Sequence, residues 1–306
     1  GYKSPLYGRR SIQLKINPFS YKESAKFVEN YSNHDKAIVF GLTGGVAEYL
    51  VFFDDSISLQ ENIINNFLSV QGRLYEEPSN LLKQELRDPK RYNDILYLIS
   101  HGQTKVSEIS NKLGVQSGSI SPYLESLIEL GIIERKTPVT NRKSNRPIYL
   151  IKDTMFNFWY KFVQPNLNLI NLELGHRVYS EKIENSINDY MGKIFEKISI
   201  EYLEYRIKSG DLRFLPTDYG NWWGNDSLRK KQSEIDILAY DSENYLFVEC
   251  KWRNGLCPKS VLNELIEKSK IFNSNQKFYW IISMSGFEDF SYDDNVELIT
   301  LDDMYA

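Results

Sequence analysis

Two stretches near the C-terminal end of the chain alternate polar and apolar residues with a period of two. They flank a short segment of turn-forming residues at 241–244, and together they occupy 233–253. This pattern predicts a β-hairpin in which Tyr240 faces Tyr245. One face of the hairpin is expected to be apolar and to belong to the core, with the residues Ile235, Ile237, Ala239, Leu246, Val248 and Cys250.

The other face of this hairpin is expected to be charged. In the same register Asp236 lies opposite Glu249, and Glu234 lies opposite Lys251. Opposed like charges destabilise a strand pair, so the acidic pair calls for a cation, and Mg²⁺ or Mn²⁺ binds carboxylates readily. Lys251 would then hold a nucleophilic water or neutralise charge on a phosphate. The alternative is a solvated strand face with ion pairs across the strands.

The order Glu-x-Asp, a short gap and Glu-x-Lys resembles the PD-(D/E)xK nuclease superfamily, nearest to its Holliday-junction-resolvase-like branch. The resemblance implies a metal-binding acidic pair at Asp236 and Glu249 and a catalytic lysine at Lys251. It also implies an acidic residue on the preceding helix, where Glu196 stands, for which a surface glutamate is the alternative. Glu234 is an additional acidic candidate.

The elements around the hairpin fit the same family. Apolar periodicity predicts a long helix at 181–208 and a shorter one at 260–272, and apolar runs at 278–284 and 296–301 predict strands. Residues 213–223 are expected to form the first strand and a loop that carries Trp222 and Trp223. A right-handed crossover would make the strand at 278–284 parallel to the second hairpin strand.

The middle of the chain predicts a winged helix-turn-helix. Three helices at 91–101, 106–113 and 117–130 are followed by strands at 132–137 and 147–151. The wing carries a cluster of basic residues that could contact DNA phosphates: Arg135, Lys136, Arg142, Lys143 and Arg146.

The candidate recognition helix of this module lacks the side chains that usually bind the edges of DNA bases. It presents Ser117, Ser119 and Ser121 together with Glu125 and Glu129, and it offers no Arg, Lys, Asn or Gln for the bases. Winged helices also serve as protein-interaction modules. Phosphate contact through the wing is therefore the expectation, with protein binding as the alternative.

The N-terminal segment resembles the end of an archaeal-type AAA+ ATPase, a family also found in bacteria. The resemblance rests on Leu6-Tyr7-Gly8-Arg9, Pro18-Phe19 and a Gly-Gly-Val turn at 44–50, in which Ala47 replaces the usual proline. It also covers the aromatic junction that follows the winged helix. It implies a last strand and a helical lid, with Arg9 or Arg10 as a nucleotide-sensing arginine; the alternative is two arginines on a solvated loop.

The chain contains no G-x-x-x-x-G-K-[ST] motif, so the residues that hold the phosphates of ATP are absent from it. We expect no ATP hydrolysis by this chain. ATP would be a ligand only together with the missing ATPase core, which we expect to have been lost or removed.

Composition adds few constraints. The net charge of −4 gives no global attraction to nucleic acid, so a basic surface must be local. Two cysteines, Cys250 and Cys257, indicate a reducing, cytoplasmic setting, and no apolar run is long enough to span a membrane.

Together these patterns predict an α+β multidomain chain. It comprises a helical lid remnant at 1–88, the winged helix at 89–152, an aromatic linker helix at 153–178 and a PD-(D/E)xK-like domain with a mixed sheet at 179–306. The expected function is a metal-dependent DNA endonuclease. The alternative is a non-catalytic DNA- or protein-binding regulatory module, and a homo-oligomer or a protein partner stays open for both.

Overall fold

The N-terminal part of the protein is helical. The computed structural model describes residues 16–143, 147–273 and 275–306. Ser20 and Glu23 form a capping box at the start of the first helix, which ends at Ser24 and continues as a 3-10 turn over Ala25–Phe27. The helices of this part are α1 (Tyr21–Ser24), α2 (Asn33–Thr43), α3 (Ala47–Leu50), α4 (Leu59–Phe67) and α5 (Glu77–Glu85).

The described residues of the range 89–151 form the predicted winged helix. Gly114 has a left-handed φ of 65° and makes the tight turn between its second and third helices. The two wing strands are antiparallel, with Ile133 opposite Ile151. The elements are α6 (Pro89–Ser100), α7 (Val106–Leu113), α8 (Ser117–Glu129), β1 (Ile133–Lys136) and β2 (Ile148–Ile151).

An aromatic segment connects the winged helix to the last domain. Trp159, Tyr160 and Phe162 are buried there, so they act in packing. The long helix that follows begins at Ile187, later than predicted, because a π-helical turn at Tyr179–Ile183 precedes it. The helices are α9 (Thr154–Phe158), α10 (Leu167–Asn171), α11 (Gly175–Val178) and α12 (Ile187–Lys208). Within the described ranges no helix is both long and apolar enough to cross a membrane.

The last domain contains a mixed five-stranded sheet in sequence order. The first three strands are antiparallel, and the last three are parallel. The parallel pairing of the third strand with the fourth was predicted from the crossover. Trp222 and Trp223 lie within a strand, so their placement in a loop was wrong. The elements are β3 (Asp218–Asp226), β4 (Lys231–Tyr240), β5 (Asn244–Lys251), α13 (Lys259–Ser269), β6 (Gln276–Ser283), β7 (Val296–Thr300) and α14 (Leu301–Tyr305).

Two apolar clusters cover the two faces of this sheet. The larger one continues from the α12 face through the N-terminal helices and the winged helix, so it is a single core from Tyr21 to Met304. The smaller one lies between the sheet and α13. It includes Val139, which belongs to the wing and is 1% exposed. The wing is therefore packed against the last domain.

Candidate active site

The candidate site lies where the hairpin strands β4 and β5 separate. Tyr240 pairs with Tyr245, as predicted, and the ladder continues to Ile237 and Val248. Beyond that point the side chain of Asp236 enters the gap, and its Oδ2 accepts a hydrogen bond of 2.8 Å from the backbone N–H of Cys250. Asp236 is thereby fixed next to Glu249.

A β-bulge in β4 sets the direction of Asp236. Gly220 of β3 faces Leu238, and Trp222 faces Ile235, so the single residue Asn221 lies opposite both Asp236 and Ile237. Such an insertion reverses the alternation of side chains along the bulged strand. Ile235 consequently packs with Leu238 on the α13 face, away from Ile237. The prediction that Ile235 and Ile237 share one face was wrong.

Glu249 is buried and ion-paired by two lysines. Its Oε1 accepts from Lys251 Nζ at 2.7 Å, and its Oε2 accepts from Lys268 Nζ at 3.0 Å. Burial opposes the charge of Lys251, but the carboxylates of Glu249 and Asp236 outweigh burial and raise the pKa of Lys251. Both carboxylate oxygens of Glu249 thus already face a positive charge.

Lys268 was missed by sequence reasoning. It lies on α13 three residues after the buried Leu265 and is only 8% exposed. Its spacing is the signal that could have identified it. A lysine that follows buried residues at helical intervals lies on the buried face of the helix and points toward the sheet.

Asp236 has far less positive charge around it. Burial, together with the negative charges of Glu249 and Glu196, raises the pKa of the Asp236 carboxyl to about 7, against the smaller effects of the Cys250 N–H and Lys251. The half-buried carboxylate therefore pays an electrostatic penalty when it is ionised at neutral pH.

Glu196 on α12 faces the same site. Its Oε1 accepts from Lys193 Nζ at 2.8 Å, and its Oε2 accepts from Asn221 Nδ2 at 3.3 Å. Burial raises the pKa of Glu196 in spite of the nearby Lys193 and Lys136. Glu234 is exposed at the margin of the site, and its charge also acts on Glu196. The structure thus brings the predicted acidic residues and Lys251 together.

The wing residues have a different environment from the one expected for a free basic surface. Arg142 makes a two-pronged ion pair with Asp218, with Nε–Oδ2 at 2.9 Å and Nη2–Oδ1 at 2.6 Å, and Lys136 donates to Asn221 at 3.1 Å. Arg135 and Lys143 are exposed. The predicted residues Arg9, Arg10 and Arg146 lie outside the described residues.

We expect Arg142→Ala to lower the free energy of unfolding by about 1 kcal/mol, because a partly exposed but two-pronged ion pair is lost. Urea denaturation measures this change. Arg177, whose pair with Glu181 is more exposed, provides the matched control, and Arg177→Ala should have a smaller effect. Equal effects of the two substitutions would contradict docking of the wing through Arg142.

Two segments of the chain match known family models. Residues 88–135 match the model of the family described as "Bacterial regulatory protein, arsR family". These residues contain the three helices and most of the first strand of the winged helix, and this part is similar to the ArsR type. Residues 159–269 match the family described as "Archaea bacterial proteins of unknown function", which covers the aromatic segment and most of the candidate site.

The chain is also similar to an uncharacterized protein of Methanocaldococcus jannaschii, MJECL04. The two are 32% identical over 292 residues, which is 92% of this chain and 63% of that protein. The chain therefore spans less than two thirds of the length of this relative. The crystal structure of protein VC1899 from Vibrio cholerae aligns with 98% of this chain and 62% of its own, at 12% identity and a TM-score of 0.31, a value too low to relate the folds.

Proposed function

We propose that this chain binds DNA through its ArsR-like winged helix and hydrolyses phosphodiester bonds at the Asp236 site with a divalent metal. The observation that carries the proposal is the carboxyl of Asp236, which burial and two neighbouring acids leave short of positive charge. A structural ion-pair network would balance its charges, whereas this site holds an acid for which a further cation is favourable.

The residues fit a hydrated Mg²⁺ or Mn²⁺. In the part of the chain that the structure describes, no group of three or more His, Cys, Asp or Glu side chains is arranged to hold an ion. Mg²⁺, however, keeps several waters and commonly binds proteins through one or two carboxylates. Asp236 and Glu249 would hold it, and a bound ion would supply an activated water and neutralise phosphate charge.

The other residues of the site have roles that follow from their charges. Lys251 stays protonated because of Glu249 and Asp236, so its ammonium group can donate to a phosphate oxygen. Lys268 holds the second oxygen of Glu249, so Glu249 keeps its position while Lys251 turns toward the substrate. Glu196 is close enough to influence Asp236 electrostatically and is a candidate proton acceptor.

Cleavage of labelled duplex and four-way-junction DNA with Mn²⁺ or Mg²⁺ tests the proposal. We expect metal-dependent cleavage by the unchanged chain and a loss of roughly a thousandfold in Lys251→Ala, because charge stabilisation at a transition state is removed. Lys270 is an exposed lysine that pairs with Glu267 on α13, and Lys270→Ala is the matched control. Binding without cleavage at any metal concentration would overturn the nuclease proposal.

A second function is favoured by a separate observation. Both oxygens of Glu249 have lysine partners, and Lys136 and Arg142 of the wing are bonded within the chain. This arrangement suits a rigid, non-catalytic DNA- or protein-binding module. It predicts salt-dependent DNA binding or partner binding that Lys251→Ala leaves unchanged.

A further inference from the structure

Asn221 joins the winged helix to the candidate site. Its Nδ2 donates to the backbone carbonyl of Asp236 at 2.6 Å and to Glu196 Oε2 at 3.3 Å, and its Oδ1 accepts from Lys136 Nζ at 3.1 Å. An ammonium group can only donate, and a carbonyl can only accept, so these partners fix which way the amide points. A single side chain therefore contacts two acidic residues of the site and one residue of the wing.

Asn221 lies at a position where its hydrogen bond to the Asp236 carbonyl can orient Asp236. It is the residue that lies opposite the bulge in β4, where no regular ladder fixes Asp236. The hydrogen bond to the Asp236 carbonyl takes the place of a ladder bond at this point. The direction of the Asp236 side chain thus depends on an amide that is itself held by Lys136.

Lys136 is held in place from the wing side. Its Nζ lies 3.2 Å from Glu134 Oε1, and its side chain is 30% exposed. The tip of the same wing is anchored to the last domain by the buried Val139 and by the ion pair between Arg142 and Asp218. Lys136 therefore reaches the site from a wing whose position is determined at two further points.

We propose that Lys136 of the winged helix and Asn221 of β3 are positioning residues: they set Asp236 for metal binding and orient Glu196, the candidate proton acceptor, beside it. The inference rests on the proposed function, because it assumes that the acidic site binds a divalent metal. It implies that the wing is a wall of the site, and that DNA contact at the wing and metal binding in the site influence each other reciprocally.

The affinity of the full chain for Mn²⁺, measured by calorimetry without DNA, tests the proposal. Outer residues that orient metal ligands commonly change affinity by 10–100-fold, so we expect about tenfold weaker binding in both Asn221→Ala and Lys136→Met. Lys136→Arg should restore binding, because a guanidinium can also donate to Asn221 Oδ1. The matched control is Lys112→Met, at an exposed lysine of α7. Binding by Lys136→Met equal to that of the unchanged chain would overturn the inference.

A second measurement separates this inference from the proposed function. If the unchanged chain binds no Mn²⁺, the nuclease proposal fails, and hydrogen exchange of the Cys250 amide still reports on the position of Asp236, to which it donates. We expect several-fold faster exchange in Lys136→Met and in Asn221→Ala, and no further increase when the two are combined. Unchanged exchange in Lys136→Met would overturn the inference.

Discussion

Asp236→Asn is expected to stabilise the folded protein at pH 8 while it removes cleavage. The pKa of the Asp236 carboxyl is about 7 in the folded protein and about 3.9 in an unfolded chain. Below pH 4 the carboxyl is protonated in both the folded and the unfolded state, so it does not lower the stability of the protein. As the pH rises from 4 to 7 the unfolded chain ionises first, so stability falls and stays low above pH 7.

The full shift corresponds to roughly 4 kcal/mol, and the partial exposure of Asp236 reduces our expectation to about 2 kcal/mol. The amide oxygen of Asn can still accept from the Cys250 N–H, so the substitution removes charge without leaving that donor unpaired. Removal of the charge that is proposed to bind the metal is expected to lower the proposed cleavage by roughly a thousandfold.

Urea denaturation of both chains at pH 5 and pH 8 measures the gain in stability. The advantage of Asp236→Asn should be clear at pH 8 and smaller at pH 5, where the folded carboxyl is already protonated. Asp241 provides a contrast, because hydrogen bonds from backbone N–H groups lower its pKa, and Asp241→Asn should give no gain. An equal effect of Asp236→Asn at both pH values would show that Asp236 is not electrostatically strained.

Gly175→Ala is expected to destabilise the protein by about 3 kcal/mol. Gly175 begins α11 and lies against the end of α4, where an added Cβ would overlap the carbonyl oxygen of Leu68. A backbone carbonyl cannot move aside as a flexible side chain can, so the two helices must separate inside the common core.

Gly192 provides the matched control for this substitution. It is also helical, but among the described residues no atom outside its chain neighbours and the adjacent backbone of its own helix lies within 4 Å of a Cβ added there. Gly192→Ala should therefore be neutral or stabilising by up to about 1 kcal/mol, as helix propensity favours Ala. Thermal or urea unfolding measures both variants, and a Gly175→Ala protein as stable as Gly192→Ala would contradict the close contact of α11 with α4.

Local patterns predicted much of the fold because they depend on neighbouring residues. The register of the hairpin followed from its short turn, and α7 was predicted at its observed bounds because a glycine turn follows it. The parallel pairing of β5 with β6 followed from the handedness of crossovers.

The details that shape the site depend on distant residues, and the sequence does not display them. At the bulge, Asn221 of the neighbouring strand faces both Asp236 and Ile237. A strict alternation of polar and apolar residues in one strand cannot reveal such an insertion, because it depends on the partner strand. Asn221 and Asp218, which bind Lys136 and Arg142, lie some 80 residues from them in the sequence, so a basic wing looked like a surface for DNA. Lys268 looked like an ordinary helix lysine until α13 placed it beside Glu249.

The shared core has a consequence for how the protein unfolds. The hydroxyl of Tyr190 on α12 lies 2.8 Å from the carbonyl oxygen of Gly41 on α2 and 2.9 Å from that of Thr154 on α9. The same helix covers one face of the sheet, so the predicted segments are not separate calorimetric units. Heat should therefore unfold residues 16–306 in one cooperative transition. A fragment cut at residue 179 would expose a large apolar surface that is buried in the whole protein, and it should aggregate.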